Sequence, residues 1–131
     1  MQYLLLIYGS EAEAKKASKD DQMKMFGEYK VFSAELKGSG KMLGGEPLES
    51  VTTATTVRVK DGKILRTDGP FAETREQLAG YYLLECKDLD EALEWAKKAP
   101  VQGGGIELRP VMDYEGHYES PPSPQAATAR S

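Results

Sequence analysis

The chain is arranged around the stretch Arg66-Thr-Asp-Gly-Pro-Phe-Ala-Glu-Thr-Arg-Glu-Gln-Leu-Ala-Gly-Tyr-Tyr82. It opens with a turn signal, because Gly69 tolerates a positive φ and Pro70 restricts both its own φ and the residue before it. It ends in the start of an apolar strand. Two interpretations of the turn stay open. It is a structural corner, in which Asp68 closes an Asx turn and Phe71 plugs the core, or it is a loop whose polar groups converge on one site.

Composition and charge restrict the classes of function. The chain has 131 residues, 40% of them hydrophobic and 29% charged, which fits one domain with a proper core. Its formal charge of -4 comes from interspersed acids and bases, so neither a nucleic-acid nor an anionic-membrane partner is expected. A single cysteine, Cys86, excludes an internal disulfide and a multi-cysteine metal site. No stretch reaches membrane-spanning length and the apolar start is too short for a signal peptide, so a cytoplasmic location is expected.

Two apolar runs are predicted to form the central strands of a sheet. The first, Gln2–Tyr8, and the second, Leu78–Lys87, are apolar at odd and even positions alike. Because neighbouring strand residues point to opposite faces, both faces of these strands are expected to be covered. In the second run the side chains of Tyr81 and Leu83 are predicted to face one way, and those of Tyr82, Leu84 and Cys86 the other.

Two helices are predicted from apolar residues at helical spacing. The first spans about Asp20–Lys37, with Ser18, Asp20 or Asp21 as its N-cap and Gly38-Ser39-Gly40 as its stop. Its core stripe consists of Met25, Tyr29, Phe32 and Leu36, flanked by Met23 and Phe26. The second spans Leu89–Ala99 after the cap Asp88, and its buried stripe consists of Leu89, Ala92, Leu93 and Ala96.

The remaining segments are predicted to be strands, a hairpin and a tail. Lys41–Ser50 is either a short strand or an extended loop. Thr52–Lys60 and Lys63–Thr67 are predicted as two strands joined by a turn at Asp61-Gly62. Ile106–Met112 is the last predicted strand. Residues 117–131, rich in Pro, Ala and Ser, are expected to form a tail without its own core, which leaves residues 1–116 as the folded domain.

This order of elements predicts an α+β domain of the ferredoxin-like type. The order is βαββαβ with an extra hairpin strand, and the two helices are expected to cover one face of an antiparallel sheet. The other face has no helix, although the central strands are apolar on both sides. An exposed face of that kind would exceed the few hundred Å² that are usual for a monomer, so we predict a homodimer formed through the helix-free faces.

Asp68 is the candidate acid–base residue. A carboxylate in a partly closed cleft can acquire a raised pKa and exchange protons with a bound molecule. The candidate pocket around it consists of Arg66, Gly69, Pro70, Phe71, Glu73, Arg75 and Tyr81. The single histidine, His117, is expected at the surface. No metal set is predicted, since one His and one Cys leave only carboxylates, and no cofactor is predicted, since Gly38-Ser-Gly40-Lys41 lacks the spacing of a phosphate loop.

Several of these motifs resemble the YciI-like (YCII-related) proteins, specifically the branch named for its DGPF motif. The resemblance covers about residues 1–112 and rests on Tyr3-Leu-Leu-Leu-Ile-Tyr8, Asp68-Gly-Pro-Phe71, Gly80-Tyr-Tyr82, Ala92-Leu-Glu-Trp-Ala96 and Glu107-Leu-Arg-Pro-Val111. It implies a ferredoxin-like subunit that forms a dimeric α+β barrel. In the wider group a loop Asp is proposed to pair with a His. Asp68 matches that Asp, whereas residues 18–40 contain no histidine.

Two functions follow as hypotheses. The first is a small-molecule enzyme or binder whose pocket lies between the sheet and the Asp68 loop, with a cofactor-free monooxygenase as a variant by analogy of fold alone. The second is a non-catalytic dimeric adaptor or regulator, for which the missing histidine and the C-terminal tail are the motivation. The resemblance adds an association of some relatives with extracytoplasmic-type sigma factors to this second hypothesis.

Overall fold

The computed structural model describes residues 1–113, 115, 116, 121, 123 and 124. In chain order the elements are β1 (Gln2–Gly9), α1 (Glu11–Lys15), α2 (Lys19–Ser39), β2 (Met42–Pro47), a 3-10 helix (Val51–Thr53), β3 (Thr55–Lys60), β4 (Lys63–Asp68), β5 (Gln77–Glu85), α3 (Leu89–Lys98) and β6 (Gly105–Pro110). His117 and most of the predicted tail lie outside the described residues. Within them, no helix combines the length and the apolar character that crossing a bilayer requires.

Four of the strands form one antiparallel sheet in the order β2-β5-β1-β6. β1 and β2 both run antiparallel to β5, which lies between them, so the β1–α2–β2 unit is a split βαβ unit. Helix α3 then connects β5 to the other edge strand, β6. This mixed architecture is consistent with the predicted ferredoxin-like α+β fold.

The predicted extra hairpin strand is a complete hairpin that lies outside the main sheet. β3 and β4 pair with each other and, among the described strands, with no other. For Lys41–Ser50 the sequence left a short strand and an extended loop as alternatives. In the structure this segment contains the edge strand β2. Its glycines permit this pairing, because a Cβ at Gly45 would lie 2.8 Å from the carbonyl oxygen of Tyr81 in β5. The predicted start of the first hairpin strand at Thr52 is wrong, since Thr52 belongs to a 3-10 helix whose N-cap is Ser50.

Side chains along β1 and β5 point alternately to the two faces of the sheet, as predicted. Leu4 pairs with Leu83 and Leu6 with Tyr81, so these four residues share one face. Tyr3 pairs with Leu84 and Leu5 with Tyr82, on the opposite face. We call the first of these the helix-free face, because the helices pack on the second.

The core lies between the sheet and the helices. Its buried residues are Tyr3, Leu5, Ile7, Phe32, Leu36, Leu84, Cys86 and Ala92. Phe32 and Leu36 come from α2 and Ala92 from α3, so both helices cover the same face of the sheet. Complete burial of a leucine such as Leu84 stabilises the fold by roughly 1.5–3 kcal/mol relative to leaving it in water.

The helix ends agree with the predicted caps. Ser18 Oγ accepts a hydrogen bond from the Asp21 amide at 3.1 Å, and Asp88 Oδ1 accepts one from the Glu91 amide at 2.9 Å. Gly40 ends α2 with φ 75°.

The predicted apolar stripes are wrong at their margins. Met23, Phe26 and Leu93 are exposed. Only the residues that point at the sheet are buried, because in the described part of the chain no second layer lies over the flanks of these helices. Met112 is also exposed and follows the end of the last strand at Pro110.

Candidate functional site: the Asp68 corner and the hairpin arm

The hairpin arm, Thr55–Asp68, projects from the sheet and carries the candidate site at its base. Its turn residues have positive φ angles, 52° at Asp61 and 76° at Gly62, as in the type I′ turn that the Asp-Gly signal predicts. All strand residues of the arm except Thr56 are exposed. The arm is therefore held by its two ends rather than by packing along its length.

Asp68 ends β4 with its carboxylate in solvent. The side chain is 87% exposed, and its ion pair is with Arg66, whose Nη2 lies 3.7 Å from Asp68 Oδ1. The two residues are two apart on one strand, so they share a face of the arm. Of the predicted site residues, Arg66 and Asp68 are therefore brought together, and the carboxylate is open to a ligand or a second chain.

Backbone hydrogen bonds fix the turn that follows Asp68. Gly69 has φ 116°, a conformation that side-chain-bearing residues rarely adopt. Its amide donates to the carbonyl oxygen of Ala54 at 2.7 Å, and its carbonyl oxygen accepts from the Thr56 hydroxyl at 2.8 Å. The glycine thus locks the end of β4 to the start of β3. Gly69 and Pro70 are both half-buried.

A carboxylate on the neighbouring helix anchors this corner to the main sheet. Glu11 Oε1 accepts from the Ser50 hydroxyl at 2.7 Å, and Oε2 accepts from the Val51 amide at 3.1 Å. The Glu11 amide donates to Gln77 Oε1 at 2.9 Å, and Gln77 pairs with Gly9 in the sheet. This series of contacts places the base of the arm at the end of the sheet where β1 ends and β5 begins.

Phe71 does not plug the core, so that part of the structural-corner interpretation is wrong. The residue is 68% exposed, and its ring lies under the Arg58 guanidinium, 4.3 Å from the ring centroid. Phe71 directly follows Pro70, and its ring lies beside the arm face that carries Arg58, opposite to the face of Asp68. A cation–π contact at an exposed site contributes about 0.5–1 kcal/mol.

The other predicted pocket residues lie near the corner in sequence but are not joined to it by hydrogen bonds. Glu73 and Arg75 are exposed in the loop, and Tyr81 is half-buried on the helix-free face beside Leu6. Among the described residues, no hydrogen bond or ion pair connects these three side chains to Asp68. In a single chain the corner therefore consists of Arg66, Asp68 and the fixed turn.

Polar groups on the helix side of the sheet satisfy one another. The hydroxyls of Ser33 and Tyr82 lie 2.6 Å apart, and the Tyr82 ring meets the Phe32 ring edge-on with centroids at 5.4 Å. Burial, aided by neighbouring Tyr82 and Glu28, raises the pKa of Tyr29 to about 12. These groups are part of the packing of α2 on the sheet.

Cys86 is a buried core residue, as predicted. Burial, then the nearby Glu91 carboxylate, raises the pKa of its thiol, which keeps the thiol protonated and unreactive. Lys41 Nζ lies 3.0 Å from Glu91 Oε1, and this contact raises the pKa of Lys41.

A shallow groove of about 260 Å³ lies on the helix side, far in sequence from the corner. It is lined by Glu28, Val31, Phe32, Glu35, Lys98 and Pro100. None of the predicted site residues borders it. In the described part of the chain, no three His, Cys, Asp or Glu side chains are grouped closely enough to hold a metal ion.

Two residues of the corner were missed by sequence reasoning. Arg58 could have been found from the hairpin register, which puts it opposite Leu65 on the face of the arm that points away from Asp68. The contacts of Glu11 could not be predicted from local sequence, because its partners Ser50 and Val51 follow it by 39 and 40 positions. Contacts of that separation follow from the fold and not from local spacing.

Two comparisons with known proteins agree. The family model of the YCII-related domain matches residues 1–115. A protein of Rhizobium meliloti (strain 1021), named as uncharacterised, is 35% identical over 118 residues, which cover 88% of this chain and 95% of that protein. The family match extends over the sheet, the helices and the Asp68 corner.

Proposed function

This chain belongs to the YCII-related family, and from that premise we propose that it works as a homodimer that binds a small molecule at the Asp68 corner. The observation that carries the proposal is the exposed Arg66–Asp68 pair on a turn that is fixed by hydrogen bonds at Gly69. A donor and an acceptor held side by side on a rigid support are what a polar ligand needs for orientation.

The chemistry of the corner favours a ligand with both a polar and an apolar part. Asp68 would accept a hydrogen bond or a proton from a hydroxyl or amine of the ligand, and Arg66 would donate to an oxygen. The apolar part would lie at the margin of the helix-free face, on the side of Tyr81, which is half-buried in the single chain. If the protein is an enzyme, Asp68 is its candidate general base.

A homodimer is supported by the composition of the helix-free face. On this face of β1 and β5 the apolar side chains of Leu4, Tyr8, Tyr81 and Leu83 are half-buried in the single chain, around the buried Leu6. Pairing two such faces about a two-fold axis would remove both from water, and a standard interface buries about 800 Å² per partner. A pocket then arises at the margin of the interface, next to the corner.

Thermal unfolding in the presence of small neutral ring compounds tests this function. The probes are phenol, catechol and cyclohexanol, each with an apolar ring and at least one hydroxyl donor. We expect at least one of them to raise the melting temperature of the wild type and of the control Asp90→Asn, but not that of Asp68→Asn. Asp90 is exposed in the first turn of α3, so the control removes the same charge elsewhere. Equal shifts in all three proteins, or no shift in any, would contradict the proposal.

A dimeric adaptor is the second candidate, and one observation favours it. The hairpin arm presents apolar side chains to solvent, as a protein-binding element does. The two functions differ in what the tail does. Pull-down with the full chain and with a chain lacking residues 117–131 separates them, because a partner that is lost with the tail favours the adaptor.

A further inference from the structure

The face of the hairpin arm that points away from Asp68 carries three bases and no acid. The register of the hairpin puts six side chains on this face, which we call the basic face: Thr56, Arg58, Lys60, Lys63, Leu65 and Thr67. The opposite face carries one base, Arg66, and one acid, Asp68, which form an ion pair with each other. The positive charge of the arm is therefore concentrated on one side.

Two of these bases lie directly opposite each other. Lys60 pairs with Lys63 across the two strands, a position at which Cβ atoms are about 4.5–5.5 Å apart and like charges destabilise the strand pair. Among the described residues, neither lysine has an ion pair, and Asp61 in the adjoining turn forms none either. A local cost of this kind is expected where a sequence serves a partner rather than its own stability.

The third base of this face is held in place by an aromatic ring. The Arg58 guanidinium lies 4.3 Å from the centroid of the Phe71 ring, which is itself 68% exposed. Stacking on the ring restricts the guanidinium, and no acid of the described residues forms an ion pair with it. Leu65, which is 48% exposed, lies opposite Arg58 and adds a second apolar neighbour. The basic face therefore combines three unpaired bases with a small apolar area.

The shape of the arm favours a macromolecular partner for this face. A small molecule needs a concave site that covers most of its surface, and no residue of the arm borders the groove on the helix side. Arg58 and Lys60 are two apart on one strand, which separates them by about 6.6 Å. Acids at alternate positions of an extended protein segment have the same spacing, so such a segment can meet the bases one by one.

The charge of the remaining chain favours an acidic protein segment over a nucleic acid. The whole chain carries -4, so without Arg58, Lys60 and Lys63 it carries -7. The negative charge of a nucleic acid continues beyond the arm and would be repelled by the rest of the chain. A short acidic segment can contact the basic face alone, with an apolar side chain against Leu65 and Phe71.

We propose that the basic face of the arm binds an extended acidic segment of a partner protein, whose acids at alternate positions meet Arg58, Lys60 and Lys63. The repulsion between the two lysines is then relieved in the complex. This surface is separate from the proposed small-molecule site and does not depend on it, because Asp68 lies on the other face of the arm.

Fluorescence anisotropy of labelled peptides tests this surface. The probe is a repeating Glu-Thr peptide, in which every second residue is an acid, and a repeating Gln-Thr peptide is its neutral counterpart. We expect binding of the acidic probe to weaken about tenfold or more when three charge contacts are removed together by Arg58→Gln, Lys60→Gln and Lys63→Gln. The matched control removes the same charge from exposed residues of α2 by Lys24→Gln, Lys30→Gln and Lys37→Gln. At physiological salt this control should bind within about twofold of the wild type, because distant charges are screened.

The outcomes that overturn the inference are distinct. One is equal weakening in the two triple variants, and another is binding of the acidic probe no tighter than that of the neutral probe. A labelled oligothymidylate of matching charge is measured on the same samples. If it binds more tightly than the acidic peptide and loses that binding in the arm variant, the partner is a nucleic acid and the proposed acidic segment is wrong.

Hydrogen exchange of the free protein gives a second measurement. Lys60→Gln removes the like-charge pair, so the amides of the arm should exchange roughly two- to fivefold more slowly than in the wild type, after correction for intrinsic rates. The control Lys30→Gln, at an exposed position of α2, should leave the exchange of the arm unchanged. Unchanged or faster exchange of the arm in Lys60→Gln overturns the inference, because the lysine pair would then carry no cost. Asp68-dependent binding of the ring compounds that persists in that case leaves the proposed function intact.

Discussion

Substitutions at two adjacent residues, Gly69→Ala and Asp68→Ala, separate the structural role of the corner from its functional role. In the structure Gly69 stabilises the turn, whereas the carboxylate of Asp68 is exposed to solvent. Gly69 has φ 116° and makes two hydrogen bonds within the turn, whereas the 87% exposed Asp68 makes one long ion pair. We therefore expect the glycine variant to lose stability and the aspartate variant to lose only ligand binding.

The expected magnitudes follow from these contacts. An exposed ion pair with 3.7 Å between its atoms contributes roughly 0.2–0.5 kcal/mol. An alanine at a backbone conformation reserved for glycine costs on the order of 1–3 kcal/mol. For 131 residues, an unfolding entropy of about 2.1 cal/mol/K per residue makes 1 kcal/mol equal to about 4 °C. Asp68→Ala should then lower the melting temperature by less than about 2 °C, and Gly69→Ala by about 4–12 °C.

Circular dichroism at 222 nm during heating, with reversibility checked by a second scan, measures both variants under one condition. Binding of the ring compounds is measured on the same samples. The reasoning is refuted if Asp68→Ala unfolds as early as Gly69→Ala, because the carboxylate would then be part of the structural corner. It is also refuted if Gly69→Ala melts like the wild type, because the turn would then not need its glycine.

Three further predictions concern the core, the anchor and the pH dependence. Leu84→Ala should lower the free energy of unfolding by about 2–5 kcal/mol, whereas Leu83→Ala, one residue away on the helix-free face, should mainly weaken self-association, as chemical denaturation and sedimentation can show. Glu11→Gln should speed hydrogen exchange of the Val51 amide about tenfold and leave that of Leu84 unchanged, because one partner of a charge-assisted hydrogen bond is weakened. The pKa of Tyr29 is raised to about 12, so the unfolded chain ionises there first and stability should fall as pH rises from about 10 to 12. Urea midpoints across that pH range should fall less steeply for Tyr29→Phe.

The elements that sequence reasoning predicted correctly are those with a strong local signal. The apolar runs at Gln2–Tyr8 and Leu78–Lys87 lie in β1 and β5. Ser18 and Asp88 cap their helices because their side chains reach amides three residues ahead. Such signals act over a few residues and are visible without the fold.

The errors have a physical cause in common. Met23, Phe26 and Leu93 lie at helical spacing with the buried stripes, and this spacing says which side chains share a face but not whether a surface lies opposite. The structural-corner interpretation, one of the two left open, put Phe71 in the core, but in the structure its ring contacts Arg58 instead. The residues Asp68-Gly-Pro thus predict the turn of the corner. Which side chains contact the corner depends on the position of the hairpin arm in the folded chain.

The central claim is that a second copy covers the helix-free face, and the molar mass in solution tests it most directly. Multi-angle light scattering of the wild type at tens of micromolar, behind a sizing column, measures that mass without labels or variants. The account predicts a single species of twice the 14.4 kDa chain mass. A monodisperse species of 14.4 kDa would contradict it, since the half-buried Leu4, Tyr81 and Leu83 would then stay partly in contact with water in the native protein.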